Sequence, residues 1–137
     1  MKLVVGDITK LDFDVIAHGC NCMCVQGAGI ARTYSELYGT NNPELYPLEG
    51  RRDPNKLGMI QGNEFTPGFW VYNLYTQIYP GANAQLSMVV STVEKLVDAH
   101  PGLNIGIPLI GAGIGGLKAE DVLKSLIHLP ITVVLYG

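Results

Sequence analysis

Apolar positions fall into short runs separated by glycine, proline and polar clusters, the pattern of strands alternating with helices. Leu3 to Val5 is a β-branched run ended by Gly6-Asp7 and predicts a strand. Val15 to His18 predicts a second, buried strand. Gly27 to Tyr38 predicts a helix: Ile30, Tyr34, Leu37 and Tyr38 recur at helical spacing, and Gly39 stops it. Thr40 to Lys56 contains Asn41-Asn42-Pro43, Pro47, Gly50 and Arg51-Arg52-Asp53-Pro54, so it reads as a surface excursion with room for one helical turn. Met59 to Gln61 and Phe69 to Tyr75 predict two strands joined by a turn around Thr66-Pro67-Gly68. Asn83 to His100 has the strongest helical period, with Leu86, Val89, Val90, Val93, Leu96 and Val97 on one face and Pro101-Gly102 as the stop. Asn104 to Ile110 predicts a strand whose Pro108 suits a sheet edge or a strand end. Gly111 to Gly116 is a loop, Ala119 to Leu129 a helix, and Ile131 to Tyr136 the last strand.

The resulting order, β-β-α-β-β-α-β-α-β, is that of an α/β domain with a mainly parallel sheet covered on both faces. Its length, 137 residues, fits one domain spanning 1–137. In such sheets ligands bind beyond the carboxyl ends of the strands. Both glycine-rich segments, Gly27-Ala28-Gly29 and Gly111 to Gly116, fall there.

Composition narrows the function. Apolar residues make up 47% and charged residues 15%, so the chain is packed rather than disordered. The net charge is -3 and no basic stripe exists, which argues against binding duplex nucleic acid through its phosphates. A small nucleotide stays compatible, because backbone N–H groups can hold its phosphates. After Met1 to Val5, the residues Asp7, Lys10, Asp12 and Asp14 interrupt any signal-like apolar run, and no stretch approaches the roughly 18 residues of a membrane helix. A cytoplasmic protein without a membrane partner is the expectation. Cys20, Cys22 and Cys24 are odd in number and two apart, a poor spacing for disulfides, so reduced thiols are expected. Zinc sites use four ligands at wider spacing, and a nucleophilic thiolate needs a base that the pattern does not supply; no metal is assigned.

Gly111-Ala112-Gly113-Ile114-Gly115-Gly116 matches G-x-G-x-x-G, but it sits near the C-terminus instead of after the first strand, which disfavours a Rossmann oxidoreductase. Four glycines in six residues nevertheless let a backbone approach a phosphate closely, the alternative being a tight turn feeding a helix. Gly27-Ala28-Gly29 opens a helix whose free N–H groups and dipole favour an anion, with glycine-driven packing as the alternative. The Asp7 carboxylate, at the end of the first strand, could accept from an adenine amine while the Ile8 backbone meets the ring edge; otherwise Asp7 makes an Asx turn. Asn21 could bond ribose hydroxyls or orient a water, or cap a loop. His18 could act as acid or base, or be a packed strand-end histidine. His100 and His128 sit at helix ends, where a dipole interaction suffices.

In this order the pieces resemble the macrodomain family, which binds ADP-ribose. The carriers are Gly6 to Thr9, His18 to Ala31, Asn73-Leu74-Tyr75-Thr76-Gln77, and Ile107 to Leu117, and the resemblance extends over nearly the whole chain. The resemblance implies a three-layer α/β/α macrodomain with a mixed, mostly parallel six-stranded sheet. It places adenine on Asp7 and Ile8, with Tyr136 stacking on it. The diphosphate would lie between Gly27, Ala28, Gly29, Ile30 and Ala31 on one side and Gly111, Ala112, Gly113, Ile114, Gly115 and Gly116 on the other. Asn21 would meet the distal ribose. The closest likeness is to small macrodomains of the ADP-ribose-1''-phosphate phosphatase and terminal ADP-ribose protein glycohydrolase type.

The glycohydrolase type uses a lysine in the stretch reading Tyr75-Thr76-Gln77 and an aspartate where this chain has Gly115, and both are missing, so a lysine adduct is not expected. Hydrolysis through an ordered water, assisted by His18 or Asn21, and a non-catalytic ADP-ribose-binding module both stay open. Among derivatives the 1''-phosphate is favoured over protein-linked ADP-ribose. No cofactor is implied, and a monomer is expected.

Overall fold

A computed structural model describes residues 1–47 and 52–136; positions 48–51 of the predicted excursion and Gly137 lie outside the described residues. Six strands form one sheet: β1 (Lys2–Val5), β2 (Val15–Asn21), β3 (Ile60–Thr66), β4 (Phe69–Gln77), β5 (Ile105–Pro108) and β6 (Thr132–Leu135). Their spatial order is β1-β6-β5-β2-β4-β3. Every neighbouring pair is parallel except the β3–β4 hairpin, so the sheet is mixed and mostly parallel, as expected.

Strand alternation divides the core. Val15 and Ala17 of β2 point to one face and Ile16 to the other. On the first face, α2 (Leu86–Ala99) and α3 (Ala119–Leu126) bury Val89, Val93, Leu96, Val122 and Leu126 against the sheet. On the second, α1 (Gly29–Tyr38) packs Tyr34 and Tyr38 against Ile8, Ile16, Val71 and Val134. The layers are therefore helix, sheet, helix.

Several boundaries differ from the sequence reading, each for a physical reason. β2 runs on to Asn21, and a register shift between Cys20 and Asn21 sets Asn21 opposite Gln77. β3 extends to Thr66 although Gln61, Gly62, Asn63 and Glu64 show no apolar alternation; it is an outer strand held by backbone pairing to β4. α2 starts at Leu86, not Asn83, because the Asn83 side chain turns back to bond Tyr79 and Pro80 and closes a loop. Pro108 ends β5 between β6 and β2, so it marks a strand end, not an edge. The excursion is not wholly superficial. Tyr46 is buried and its hydroxyl donates to the Val71 carbonyl at 2.8 Å. Lys56 is also buried, its Nζ lying 3.4 Å from Cys24 Sγ and 4.9 Å from the centre of the Tyr75 ring. No described helix is long and apolar enough to cross a membrane.

Candidate ligand cleft

The carboxyl ends of β1, β2, β5 and β6 open on a cleft of two chambers. The first, about 670 Å³, is walled by Asp7, Ile8, Thr33, Val134 and Tyr136. The second, about 510 Å³, is walled by Asn21, Val25, Thr76, Gln77 and the two glycine-rich loops. Gly29, Ile30, Pro108, Leu109 and Ala112 border both and form the neck between them. The parallel strands create this arrangement, because their ends all deliver loops to the same rim of the sheet.

The neck is built from main chain. Ala28 is the N-cap of α1 and offers no side-chain cap, so the first-turn N–H groups of Gly29, Ile30 and Ala31 have no partner within the helix. Those residues border the second chamber. Opposite them, Gly113 to Gly115 form a single 3-10 turn. A Cβ on Gly27 would meet nothing within 4 Å, so the missing side chain leaves open cleft. Gly111 is different: its Cβ would come within 2.7 Å of Leu117 Cδ1, and it serves packing as well as the chamber wall. Gly116 does not border either chamber. It closes the turn at φ 86°, and a Cβ there would sit 2.9 Å from that of Ala82.

Asp7 closes the far end of the first chamber. Its Oδ1 accepts from Thr9 N at 3.0 Å and Thr9 Oγ1 at 2.6 Å, while Oδ2 has no partner among the described residues. The Thr9 hydroxyl and amide hold its pKa below the usual carboxylate value, keeping an anionic acceptor at the rim. Ile8 is buried and borders the chamber. Tyr136 stands at the mouth, 89% exposed. Of the residues singled out from the sequence, Gly29, Ile30, Ala112 and Gly113 join them in this chamber.

Asn21 borders the second chamber with Gly27 to Ala31, Ile114 and Gly115, but most of its amide is committed to the loop that follows. Oδ1 accepts from Met23 N and Val25 N, and Nδ2 donates to the Val25 carbonyl at 2.9 Å. One Nδ2 hydrogen is left.

His18 is not in the cleft. It is fully buried under α1, its ring 4.6 Å from that of Tyr34. Nε2 lies 2.6 Å from Asn73 Oδ1. Asn73 donates through Nδ2 to the Thr40 carbonyl at 2.9 Å, which fixes its oxygen toward the imidazole. Nε2 is therefore the protonated nitrogen of a neutral ring. Burial lowers the His18 pKa to about 4, only partly opposed by the Asn73 bond. The acid–base role expected of His18 is thus replaced by a structural one, tying β2 to β4 and to the chain after α1. Cys20 Sγ lies 3.3 Å from the same Nε2 and 3.4 Å from Asn73 Oδ1. Cys20, His18 and Asn73 have the membership of a catalytic triad without its geometry, since the nitrogen nearest the sulfur already carries a proton given to Asn73.

Sequence reasoning passed over Thr33, Pro108 and Leu109, apolar or neutral residues whose only signal was their place beside the loops. It noted Gln77 in the Asn73 to Gln77 segment that carries the resemblance and for the lysine it is not. Its Nε2 donates to the carbonyls of Tyr79 at 2.6 Å and Gly81 at 2.9 Å. Among the described residues no group of three or more metal-ligating side chains gathers, and no disulfide joins the three cysteines.

No family model matches the chain. An uncharacterised 17.5 kDa protein of the tk-vs intergenic region of Enterobacteria phage T4 is 31% identical over 128 residues, spanning 84% of this chain and 80% of that protein. Solved structures superpose along nearly the full length. The macrodomain of Mycobacterium tuberculosis DarG has a TM-score of 0.76 at 22% identity, covering 98% of this chain and 97% of that one. A macrodomain protein from Streptomyces coelicolor has 0.74 at 23%, covering 99% and 97%. The chain has the macrodomain fold. A further relative, the DNA ADP-ribosyl glycohydrolase of Mycobacterium tuberculosis, is 25% identical over 131 residues; the match spans 89% of this chain and 36% of that longer protein.

Proposed function

We propose that this macrodomain binds ADP-ribose along the cleft and hydrolyses ADP-ribose derivatives at the distal ribose. The observation that carries the reading is the neck: two chambers of nucleoside and sugar size meet between an uncapped helix N-terminus and a glycine-rich turn. A diphosphate flanked by two riboses has that layout. Adenine lies in the first chamber with its amine toward Asp7, the diphosphate accepts from the first turn of α1, and the distal ribose enters the second chamber. The relative named as a DNA ADP-ribosyl glycohydrolase supports hydrolysis and adds DNA-linked ADP-ribose to the protein-linked and 1''-phosphate derivatives. The remaining Nδ2 hydrogen of Asn21 and the Gln77 amide are available to place a water, so positioning would supply most of the rate. The protein would act as a cytoplasmic monomer.

One observation favours the non-catalytic reading. No ionisable acid or base other than the buried Cys20 thiol borders the second chamber among the described residues. Calorimetric titration with ADP-ribose, followed by product release assays on the three derivatives, separates the two. Binding with turnover supports the hydrolase, binding without turnover supports the module, and absence of ADP-ribose binding sinks both.

A further inference from the structure

The second chamber has an acceptor aimed into it and, among the described residues, no charge to meet an anion. Gln77 spends both Nε2 hydrogens on the carbonyls of Tyr79 and Gly81, which fixes the orientation of its amide. Its Oε1 is thereby turned the other way, and a Cβ built on Gly115, another wall of the chamber, would lie 3.4 Å from that oxygen. No donor reaches Oε1 among the described residues. An amide oxygen so placed is satisfied by an O–H or N–H group of a ligand. The remaining described wall side chains are apolar, glycine, or the neutral Asn21, Thr76 and Cys20. Asn21 accepts two bonds of its own, and Thr76 is buried.

We propose that Gln77 makes the second chamber selective for a distal ribose with a free hydroxyl or an uncharged substituent at its anomeric carbon, against a phosphorylated one. The inference rests on the ADP-ribose reading above and narrows its substrate class. A ribose hydroxyl donates to Gln77 Oε1. A 1''-phosphate carries close to two negative charges near neutral pH and presents only acceptors to that oxygen, with no cation in the wall among the described residues to compensate. The α1 N–H groups that could have served it are taken by the diphosphate. The preference for the 1''-phosphate expected from sequence is therefore reversed, and glycosidic, uncharged linkages become the favoured substrates.

The test compares three ligands by calorimetry on the whole chain: ADP, ADP-ribose and ADP-ribose-1''-phosphate. ADP reports the first chamber and the neck alone. In the wild type, ADP-ribose is expected to bind at least tenfold more tightly than its 1''-phosphate. In Gln77→Lys, which places a cation at the wall, that ratio falls at least tenfold while ADP affinity stays within threefold of wild type. Binding of the 1''-phosphate equal to or tighter than ADP-ribose in the wild type overturns the inference and leaves the ADP-ribose reading intact. Failure of both ADP and ADP-ribose to bind overturns the two together. If Gln77→Lys does not fold, the wild-type ratio still decides, and Gln77→Met repeats the comparison without a charge: there the ratio shrinks toward one if Oε1 sets it, and an unchanged ratio removes Gln77 from the explanation.

Discussion

Acidification should loosen this fold through one buried ring. His18 is fully buried with a pKa of about 4, against 6.5 in the unfolded chain. Above pH 6.5 the ring is neutral in both states and contributes no pH dependence. Between 6.5 and 4 the unfolded state takes up a proton that the folded state refuses, so stability falls as pH falls. With those two values the loss at pH 5 is about 2 kcal/mol, approaching about 3 kcal/mol below pH 4. For a chain of this size that corresponds to a drop in Tm of roughly 6–10 °C between pH 7.5 and pH 5. Urea unfolding at half-unit pH intervals, run in parallel on wild type and His18→Gln, isolates the ring. His100, whose pKa burial also lowers, contributes to both proteins equally. The variant is expected to be less stable at pH 7.5, because a hydrogen bond to Asn73 changes partner, but its curve should be flatter over pH 7 to 5 by about 2 kcal/mol. Parallel curves for the two proteins would refute the assignment of a neutral, proton-refusing His18.

Three substitutions separate cleft from scaffold. Gly27→Leu projects into open space, so Tm should hold within about 2 °C while ADP-ribose affinity falls tenfold or more, on the order of 1.4 kcal/mol; a comparable loss of stability would mean that the side chain meets protein instead. Gly116→Ala should do the reverse, losing about 1–2 kcal/mol of stability from left-handed backbone strain alone, with crowding against Ala82 added, which thermal unfolding measures. Asp7→Ala removes both the turn held by Thr9 and the rim acceptor. Stability should drop by about 1 kcal/mol and ADP affinity by about tenfold, and an unaltered ADP titration would take adenine away from this end of the cleft.

Most of the architecture was readable from periodicity because most elements bury one face. The Leu86 to Val97 period marks α2, and the β-branched runs mark β1, β2 and β6. β3 was found only at its start, Met59 to Gln61; its extension to Thr66 escaped because an outer strand pairs through its backbone and needs no apolar alternation, so Asn63 and Glu64 carry no signal of it. On the cleft, the glycine loops and Asp7 were legible because a near backbone approach demands glycine and a strand end invites a capping aspartate. The sequence left His18 open between acid–base and packed roles, because a histidine beside Cys20 and Asn21 looks the same in sequence whether it faces solvent or a tyrosine ring; the structure gives the packed one. The role of Gln77 depends on the carbonyls of Tyr79 and Gly81 meeting one amide, a matter of three-dimensional closure that residue spacing does not encode.

The main chain lining this cleft, Gly29, Ile30 and Ala31 of α1 with the turn at Gly113 to Gly115, has a consequence for anyone who maps it by truncation. Its donors are peptide groups, which no replacement by alanine deletes. An alanine scan across these positions would add methyl groups where glycine stands and remove none of these backbone donors. Such a scan would score this surface as inert or merely crowded. Mapping it calls for backbone ester substitution at Gly29, Ile30 or Ala31, which replaces a single N–H by oxygen and leaves every side chain in place.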